Sequence, residues 1–119
     1  MLDHVGLTVS DLARSKAFYA DALAPLGYSV LAEFGVAAGL GVDRPDFWIA
    51  QGEPAQGIHV AFATSQRATV DAFHKAGLAA GGKDNGAPGP RPEYHSSYYG
   101  AFVLDPDGNN IEAVCHAPE

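Results

Sequence analysis

The residues in this sequence whose types most clearly suggest chemistry are three side chains that can bind metal: His4, His59 and Glu112. Two neutral imidazoles and one carboxylate that leave coordination positions open are a donor set suited to a catalytic divalent metal. Each of them has an ordinary explanation when taken alone, since a single strand histidine is more often solvated or hydrogen-bonded than a ligand. The argument for a metal site therefore depends on the elements that carry the three residues.

Glu112 raises a question of its own, because it stands between the apolar residues Ile111 and Ala113 near the end of the chain. A carboxylate that is buried without a partner costs several kcal/mol. The strand that carries Glu112 must therefore offer it water, hydrogen-bond donors or a cation.

An internal repeat organises the chain. The segment "HVGLTVSDLARSKAFYADALAPLGY", which starts at His4, aligns without a gap with "HVAFATSQRATVDAFHKAGLAAGGK", which starts at His59; nine of the 25 positions are identical. At this offset His4 corresponds to His59, Phe18 to Phe73 and Gly27 to Gly82. Such self-similarity predicts two copies of one structural unit, about residues 1–55 and 56–119, within a single domain.

Each copy begins with a predicted strand and helix. Apolar residues alternate with His4 and with His59 at the period of a half-buried strand, and a helical stripe follows. Ser10 or Asp11 is the predicted cap of the first helix and Ser65 that of the second, and Gly27 ends the first run. Three further strand-like runs complete the first copy: about Tyr28 to Phe34, Val36 to Val42 and Phe47 to Gln51.

The second copy ends in a predicted hairpin. Tyr99 to Leu104 and Asn110 to Val114 flank "DPDG", whose Asp, Pro and Gly occupy favoured places of a type I turn. Before this hairpin lies "GGKDNGAPGPRPEYHSS", in which any strand must be short or irregular. The pattern therefore predicts an α+β fold: two tandem βαβββ modules that form a mixed sheet with helices on one face.

The strand alternation assigns the candidate ligands to one side. Val5, Leu7 and Val9 alternate with His4 and belong to the helix-facing side, as do Val60 and Phe62 in the second copy. His4 and His59 therefore point to the open face, and Glu112 joins them by the same parity. We therefore expect the three side chains to converge on one metal ion.

The loop before the hairpin supplies candidate partners of that ion. Tyr94, Tyr98 and Tyr99, with His95 between them, are candidates for orienting a substrate or moving protons. Phe47 and Trp48 are candidates for an apolar wall of the same pocket.

Composition narrows the classes of partner. The net charge of −7 and the scattered Lys and Arg residues argue against nucleic acid or an anionic membrane surface. No stretch approaches the length of a membrane span and no targeting segment stands out, so we expect a cytoplasmic protein that binds a small molecule. The single cysteine, Cys115, is interpreted as a small core residue.

The quoted motifs resemble the vicinal oxygen chelate superfamily, also called the glyoxalase/bleomycin resistance/dioxygenase superfamily. "DHVGLTVSDLARSKAFY" is similar to its opening strand and helix, "HVAF" to its second-module strand, and "AFVLDPDGNNIEAV" to its closing hairpin. The resemblance implies a paired βαβββ fold in which the two tandem modules form a curved mixed sheet around a cavity, with helices on the outer face. It also implies a divalent metal, Zn, Mn, Fe, Ni or Co, at His4, His59 and Glu112, which holds two substrate oxygens.

One position departs from the glyoxalase I pattern. Those enzymes carry a fourth ligand, a carboxylate on the last strand of the first module, which the hairpin correspondence places at Ile49 here. Isoleucine cannot bind metal or accept a proton, which counts against the glyoxalase I isomerisation. The His, His, Glu set instead resembles the fosfomycin-modifying branch and the extradiol dioxygenases.

Three functional hypotheses follow. The first is a metal-dependent enzyme of lyase, dioxygenase or thiol-transferase type that acts on a small oxygen-rich, chelating substrate. The second is a metal-free protein that binds a drug or metabolite, like the bleomycin-resistance members. The third is a subunit-interaction module with a vestigial site. The resemblance also implies a homodimer, in which His4 of one chain can meet His59 and Glu112 of the other.

Overall fold

The computed structural model describes residues 1–119 and contains eight strands and two α-helices, arranged as the duplicated sequence predicts. A short 3-10 helix, Ala24–Leu26, follows the first α-helix. The elements in chain order are β1 (Val5–Val9), α1 (Leu12–Ala22), β2 (Ser29–Phe34), β3 (Ala37–Gly41), β4 (Pro45–Gln51), β5 (His59–Ala63), α2 (Arg67–Ala79), β6 (Lys83–Pro90), β7 (Tyr99–Leu104) and β8 (Asn110–Cys115).

The eight strands form two separate four-stranded mixed sheets. The first has the order β1-β4-β3-β2 and the second β5-β8-β7-β6. In each sheet the first and last strands of the module pair in parallel, and the remaining pairs are antiparallel. The βαβββ repeat is therefore confirmed. The mixed sheet is divided into two, one for each module, with hydrogen bonds only within each sheet. Neither sheet closes into a barrel.

The strand alternation correctly predicts which residues form the core. On β1, Leu7 and Val9 are buried, whereas the alternate residues Gly6 and Thr8 are exposed. The central residues of both helices pack against these buried strand residues, and Phe18 and Phe73, which correspond in the repeat, are both in this core. Because successive strand residues face opposite sides, the helix-facing side carries the core and leaves the other side of each sheet to polar or exposed residues.

The two helices begin at equivalent positions but with different caps. Asp11 caps α1, and its carboxylate accepts a hydrogen bond from Arg14 N at 3.1 Å. The cap of α2 is Gln66, whose side chain makes no capping bond, so the predicted Ser65 cap is wrong. The hydroxyl oxygen of Thr64 accepts a hydrogen bond from Gln66 N, and the helix begins one residue later than predicted.

Asp105 builds the predicted turn between β7 and β8. Its Oδ1 accepts hydrogen bonds from the backbone N–H groups of Asp107 and Asn109, both at 2.9 Å. Gly108 adopts a φ of 87°, which non-glycine residues rarely adopt, and its N–H donates to Asp105 O. The turn thereby sets the register in which Leu104 pairs with Asn110.

The Gly/Pro-rich segment before the hairpin contains β6, an eight-residue strand with two register shifts against β7. Gly86 sits at one of these irregularities with a φ of 151°. The strand is thus irregular, as the sequence predicts, although it is not short.

The two modules share one hydrophobic core. The Phe62 ring meets Tyr28 and Phe47 in edge-to-face contacts, with centroids 5.4 and 5.3 Å apart. The Tyr19 hydroxyl of α1 donates to Asp105 Oδ2 at 2.5 Å, which joins the first helix to the turn of the second module. Neither helix is long and apolar enough to cross a membrane.

The Tyr19 to Asp105 hydrogen bond leads to a prediction about stability and pH. Burial, and then the negative charge of Asp105, raise the pKa of the Tyr19 hydroxyl well above its usual range. We expect Tyr19→Phe to lower the free energy of unfolding by about 1.5–3 kcal/mol at neutral pH, because a buried carboxylate oxygen loses its donor. Urea denaturation measures this change.

The pH dependence of that difference has a definite sign. Above about pH 10 the unfolded chain releases the tyrosine proton while the folded chain keeps it, so stability falls as pH rises. The gap between the wild type and Tyr19→Phe should therefore narrow above pH 10. Tyr94→Phe is the control, since Tyr94 is 63% exposed, and a gap that stays constant with pH would contradict the assignment.

Candidate metal centre

His59 and Glu112 lie side by side on the parallel strands β5 and β8. His59 pairs with Asn110 and Ala61 with Glu112, and the His59 Nε2 atom is 2.7 Å from Glu112 Oε1. The Asn109 side chain holds this register, because it accepts from Ile58 N at 3.0 Å and donates to Ala55 O at 2.8 Å. The contact between the imidazole and the carboxylate therefore follows from the turn that precedes β8.

Glu112 is 1% exposed, so the question raised by its apolar neighbours has a structural answer. Its Oε1 meets His59, and its Oε2 accepts a hydrogen bond from the Tyr98 hydroxyl. Burial, and then the hydrogen bond to Glu112, raise the pKa of Tyr98 above its usual range. The carboxylate is buried with a partner for each oxygen, which removes most of the cost of burying it.

Gly100 makes room for this carboxylate. A Cβ atom there would come within 3.0 Å of Glu112 Oε2 and 3.1 Å of the Tyr98 ring. Any larger residue would push the acid or the phenol out of place. The β7 backbone therefore cradles the Glu112 head group.

The two atoms lie at hydrogen-bond distance, slightly closer together than two ligands of one divalent ion would be. Two ligands that each lie about 2.0–2.2 Å from one ion are roughly 3 Å apart, close to the 2.7 Å between His59 Nε2 and Glu112 Oε1. The pair opens into a pocket of about 430 Å³ whose lining comprises His59, Tyr94, Tyr98, Phe102, Asn110 and Glu112. The site combines one imidazole, one carboxylate and an accessible open side.

His4 does not join this pair within the chain. It is exposed just before β1, and its Nδ1 lies 2.7 Å from Asp3 Oδ1. A different pocket, between the modules, is lined by both His4 and His59. No group of three His, Cys, Asp or Glu side chains in one chain is close enough to hold a metal ion. The structure thus brings together two of the three predicted ligands.

The predicted loop residues divide between the two faces of the sheet. Tyr94 and Tyr98 line the Glu112 pocket. Tyr99 points to the helix side, where its hydroxyl donates to Asp71 Oδ1 at 2.7 Å, because neighbouring strand residues face opposite ways. His95 accepts from Ser97 N and does not line this pocket. Tyr99 and His95 therefore lie outside the Glu112 pocket.

Phe47 and Trp48 cannot form one wall, for the same reason. Phe47 is 1% exposed and belongs to the core, whereas Trp48 lies on the open face of the first sheet and stacks on Phe34. Gly39 permits this, since a Cβ atom there would come within 2.8 Å of the indole.

The same register corrects the position of the fourth ligand. Gly6 pairs with Trp48 as its counterpart Ala61 pairs with Glu112, so Trp48, and not Ile49, corresponds to Glu112. Ile49 is fully buried in the core. The first module offers no carboxylate at either residue, so the departure from the glyoxalase I pattern stands.

Two pocket residues were not found from the sequence. Phe102 pairs directly with Glu112 across the hairpin, and Asn110 lies two residues before it on the same strand face. Counting the hairpin register outward from the "DPDG" turn would have identified both.

Comparison with known proteins agrees with the fold. The model of the glyoxalase/bleomycin resistance protein/dioxygenase superfamily matches residues 1–113. The chain belongs to this superfamily. Among curated proteins, none matches it.

Solved structures of other members of the superfamily are similar to this protein over nearly its whole length. A glyoxalase/bleomycin resistance protein from Albidiferax ferrireducens is 33% identical with a TM-score of 0.83, over 97% of this chain and 98% of that one. A glyoxalase I mutant from Zea mays is 28% identical with a TM-score of 0.74, over 95% of this chain and 46% of that one.

A mutant of the fosfomycin resistance protein FosX from Listeria monocytogenes shares the superfamily fold. It is 22% identical with a TM-score of 0.74, over 100% of this chain and 90% of that one. That structure is a complex with Mn(II) and 1S,2S-dihydroxypropylphosphonic acid.

The Tyr98 to Glu112 contact predicts an unequal response of two nearby tyrosines. In the metal-free protein, Tyr98→Phe should lower the free energy of unfolding by about 1.5–3 kcal/mol, because it removes a donor to a buried charge. Tyr94→Phe should change it by less than about 0.5 kcal/mol, since the Tyr94 hydroxyl has no partner in the protein. Equal effects in urea denaturation would argue against a buried, hydrogen-bonded Glu112.

Proposed function

We propose that the protein is a metal-dependent enzyme acting on a small oxygen-rich substrate that chelates a divalent ion. His59 and Glu112 of one protomer and His4 of a second copy would hold this ion. The observation that carries the proposal is the 2.7 Å approach of His59 Nε2 to Glu112 Oε1 at a buried acid that opens into a pocket. The coarser statement, membership of the superfamily that includes glyoxalases, rests on the family match.

A bound divalent ion acts as a Lewis acid on carbonyl or hydroxyl oxygens. The residues of the chain supply the rest. Glu112 provides the negative charge that an oxygen-rich site needs, and His59 provides a neutral nitrogen donor. Tyr98 holds a proton next to Glu112 Oε2, where it can donate to a substrate oxygen.

Trp48 narrows the reaction class. At the first-module position that corresponds to Glu112, an indole replaces a carboxylate. The pocket therefore lacks a second carboxylate base from that strand. We propose a reaction of the lyase, dioxygenase or thiol-transferase kind that does not depend on such a base.

We further propose that a second copy of the chain completes the site. His4 is exposed and forms no cluster with His59 and Glu112 within one chain, which supports a third donor from a second copy. Both modules also leave large apolar side chains uncovered, among them Phe34, Val36 and Val42. Exposed apolar surface of this kind favours association of a small protein.

One observation favours a metal-free binding protein as the second candidate. Tyr98 and His59 together already occupy both oxygens of Glu112 without a cation. In that case the pocket would hold a metabolite through hydrogen bonds and aromatic contacts alone. Metal stoichiometry separates the two candidates.

The first test measures metal content in tag-free protein dialysed against Mn(II), Fe(II), Zn(II), Ni(II) or Co(II). Mn(II) is the first choice because the FosX complex contains it. We expect about one ion per chain, a melting temperature that falls by several degrees when the ion is removed, and loss of binding in Glu112→Gln and His59→Ala. Elemental analysis and thermal denaturation give the readouts.

His74→Ala is the matched control for these variants. His74 also pairs with a carboxylate, with its Nε2 2.9 Å from Asp84 Oδ1, but on the helix side of β6. Metal content should be unchanged in this variant. If His74→Ala loses the ion as Glu112→Gln does, or if the wild type binds none, the metal centre is wrong and the binding protein is favoured.

The second test addresses the shared site by mixing two variants. His4→Ala and Glu112→Ala homodimers each lack an intact site. If the ligands come from two chains, a heterodimer regains one complete site. That site combines His4 of the Glu112→Ala chain with Glu112 of the His4→Ala chain. Unfolding and refolding an equal mixture should then restore about a quarter of the wild-type metal content.

If all ligands came from one chain, no heterodimer would contain a complete site and the mixture would bind no more metal than its components. A mixture of His4→Ala with His4→Ser, which cannot complement in either arrangement, provides the baseline.

A further inference from the structure

Arg91 differs from every other arginine in the chain. Arg14, Arg44 and Arg67 each lie within ion-pair distance of a carboxylate, whereas no carboxylate of the protein lies that close to Arg91. The partners of the first three are Asp107 at 3.6 Å, Asp3 at 3.3 Å and Glu119 at 3.4 Å. In a chain with 14 acidic residues and a net charge of −7, one arginine remains without an acid.

The backbone holds the Arg91 guanidinium in place. Its Nη2 donates to Ala87 O at 2.8 Å and its Nη1 to Pro90 O at 3.3 Å. The group also lies 5.6 Å from the centroid of the Phe102 ring. A side chain fixed in this way loses little conformational freedom when it binds a ligand.

Two glycines leave space for this group. A Cβ atom at Gly86 would come within 3.4 Å of Nη2, and one at Gly89 within 3.3 Å of Nη1. The register shifts of β6 against β7 occur in this same stretch. The irregular strand thus forms a recess in which the charged group of Arg91 sits.

The guanidinium still has donors available. It carries five N–H groups, and the two bonds to Ala87 and Pro90 use two of them, which leaves three without a partner in the protein. The planar arrangement of such donors matches the two oxygens of a carboxylate.

The recess adjoins the Glu112 pocket. Arg91 lines a groove of about 310 Å³, and the Glu112 pocket shares three of its lining residues: Tyr94, Phe102 and Asn110. The amide of Asn85 also lines the groove and donates to Asn110 Oδ1 at 3.1 Å. Aromatic and neutral amide groups therefore separate the cation of Arg91 from the anion of Glu112.

We propose that Arg91 binds a carboxylate of the substrate, so that the enzyme acts on small organic acids whose carboxylate lies in the Arg91 groove and whose chelating oxygens reach His59 and Glu112. Only the part about chelating oxygens that reach His59 and Glu112 rests on the proposed function. One unpaired positive charge with three donors matches a monoanion. The rings of Tyr94 and Phe102 suit an apolar or aromatic body between the two ends.

The test uses the metal-free protein, so that it does not depend on the metal centre. Benzoate and its uncharged counterpart benzamide are titrated separately, followed by 15N NMR of the backbone amides and of the Arg91 Nε–H group. We expect benzoate to shift the signals of Gly86, Arg91 and Asn110 and to bind at least about tenfold more tightly than benzamide, since a hydrogen bond to a charged group contributes that much.

Variants assign the effect to one side chain. Arg91→Gln should remove the preference for benzoate, Arg91→Lys should retain part of it, and Arg44→Gln, which removes another exposed arginine, should leave it intact. Glu112→Gln should bind benzoate at least as tightly as the wild type. If the wild type binds benzoate but no metal, the metal centre is wrong and the Arg91 site still stands.

Three results would overturn the Arg91 site: no binding of benzoate, equal binding of benzoate and benzamide, or an unchanged preference in folded Arg91→Gln. If Arg91 only stabilises β6 through its backbone hydrogen bonds, Arg91→Gln should lower the melting temperature and leave the preference for benzoate unchanged. If Arg91→Gln does not fold, the preference of the wild type for benzoate, together with the shift of its Arg91 Nε–H signal, provides the test.

Discussion

The turn at Asp105 is the constraint on which the rest of the structure depends. A single buried carboxylate receives two backbone N–H groups of its own turn and the hydroxyl of Tyr19 from the other module. The turn places Asn109 where its amide bonds the start of β5. The register of β5, β7 and β8 follows from these contacts, and with it the meeting of His59 and Glu112. The position of the candidate site is thus a consequence of hairpin geometry rather than of the ligands themselves.

Much of this architecture could be predicted from the sequence, because a repeat and a two-residue alternation are local signals. The repeat predicted two βαβββ modules, and the alternation correctly placed Leu7 and Val9 in the core. It also placed His59 and Glu112 together, since their strands belong to one module and their pairing is set by a recognisable turn. These are cases in which neighbouring elements determine the outcome.

The errors have two physical causes. The first is the strict alternation of side chains along a strand. An error of one residue replaces Trp48, which lies on the open face, with Ile49, which lies in the core. Tyr99 lies on the helix side of the sheet, one residue away from Tyr98 in the pocket, for the same reason. The second cause is that the packing of one module on the other is not written in any local pattern. His4 and His59 correspond in the repeat, yet only His59 has Glu112 beside it, because the relative placement of the modules depends on helix packing and on the shared core.

The opposition of Trp48 and Glu112 at equivalent positions has a consequence for how such a protein changes over time. The core side of each sheet maintains the fold, so substitutions on the open side change stability little as long as a neighbouring glycine leaves space for the new side chain. Gly39 does so for Trp48 and Gly100 for Glu112. The two halves of the duplicated gene product were thereby free to diverge, one towards an aromatic surface and the other towards an acid. A small scaffold of this kind can acquire new chemistry by altering a few outward residues while its interior stays as it was.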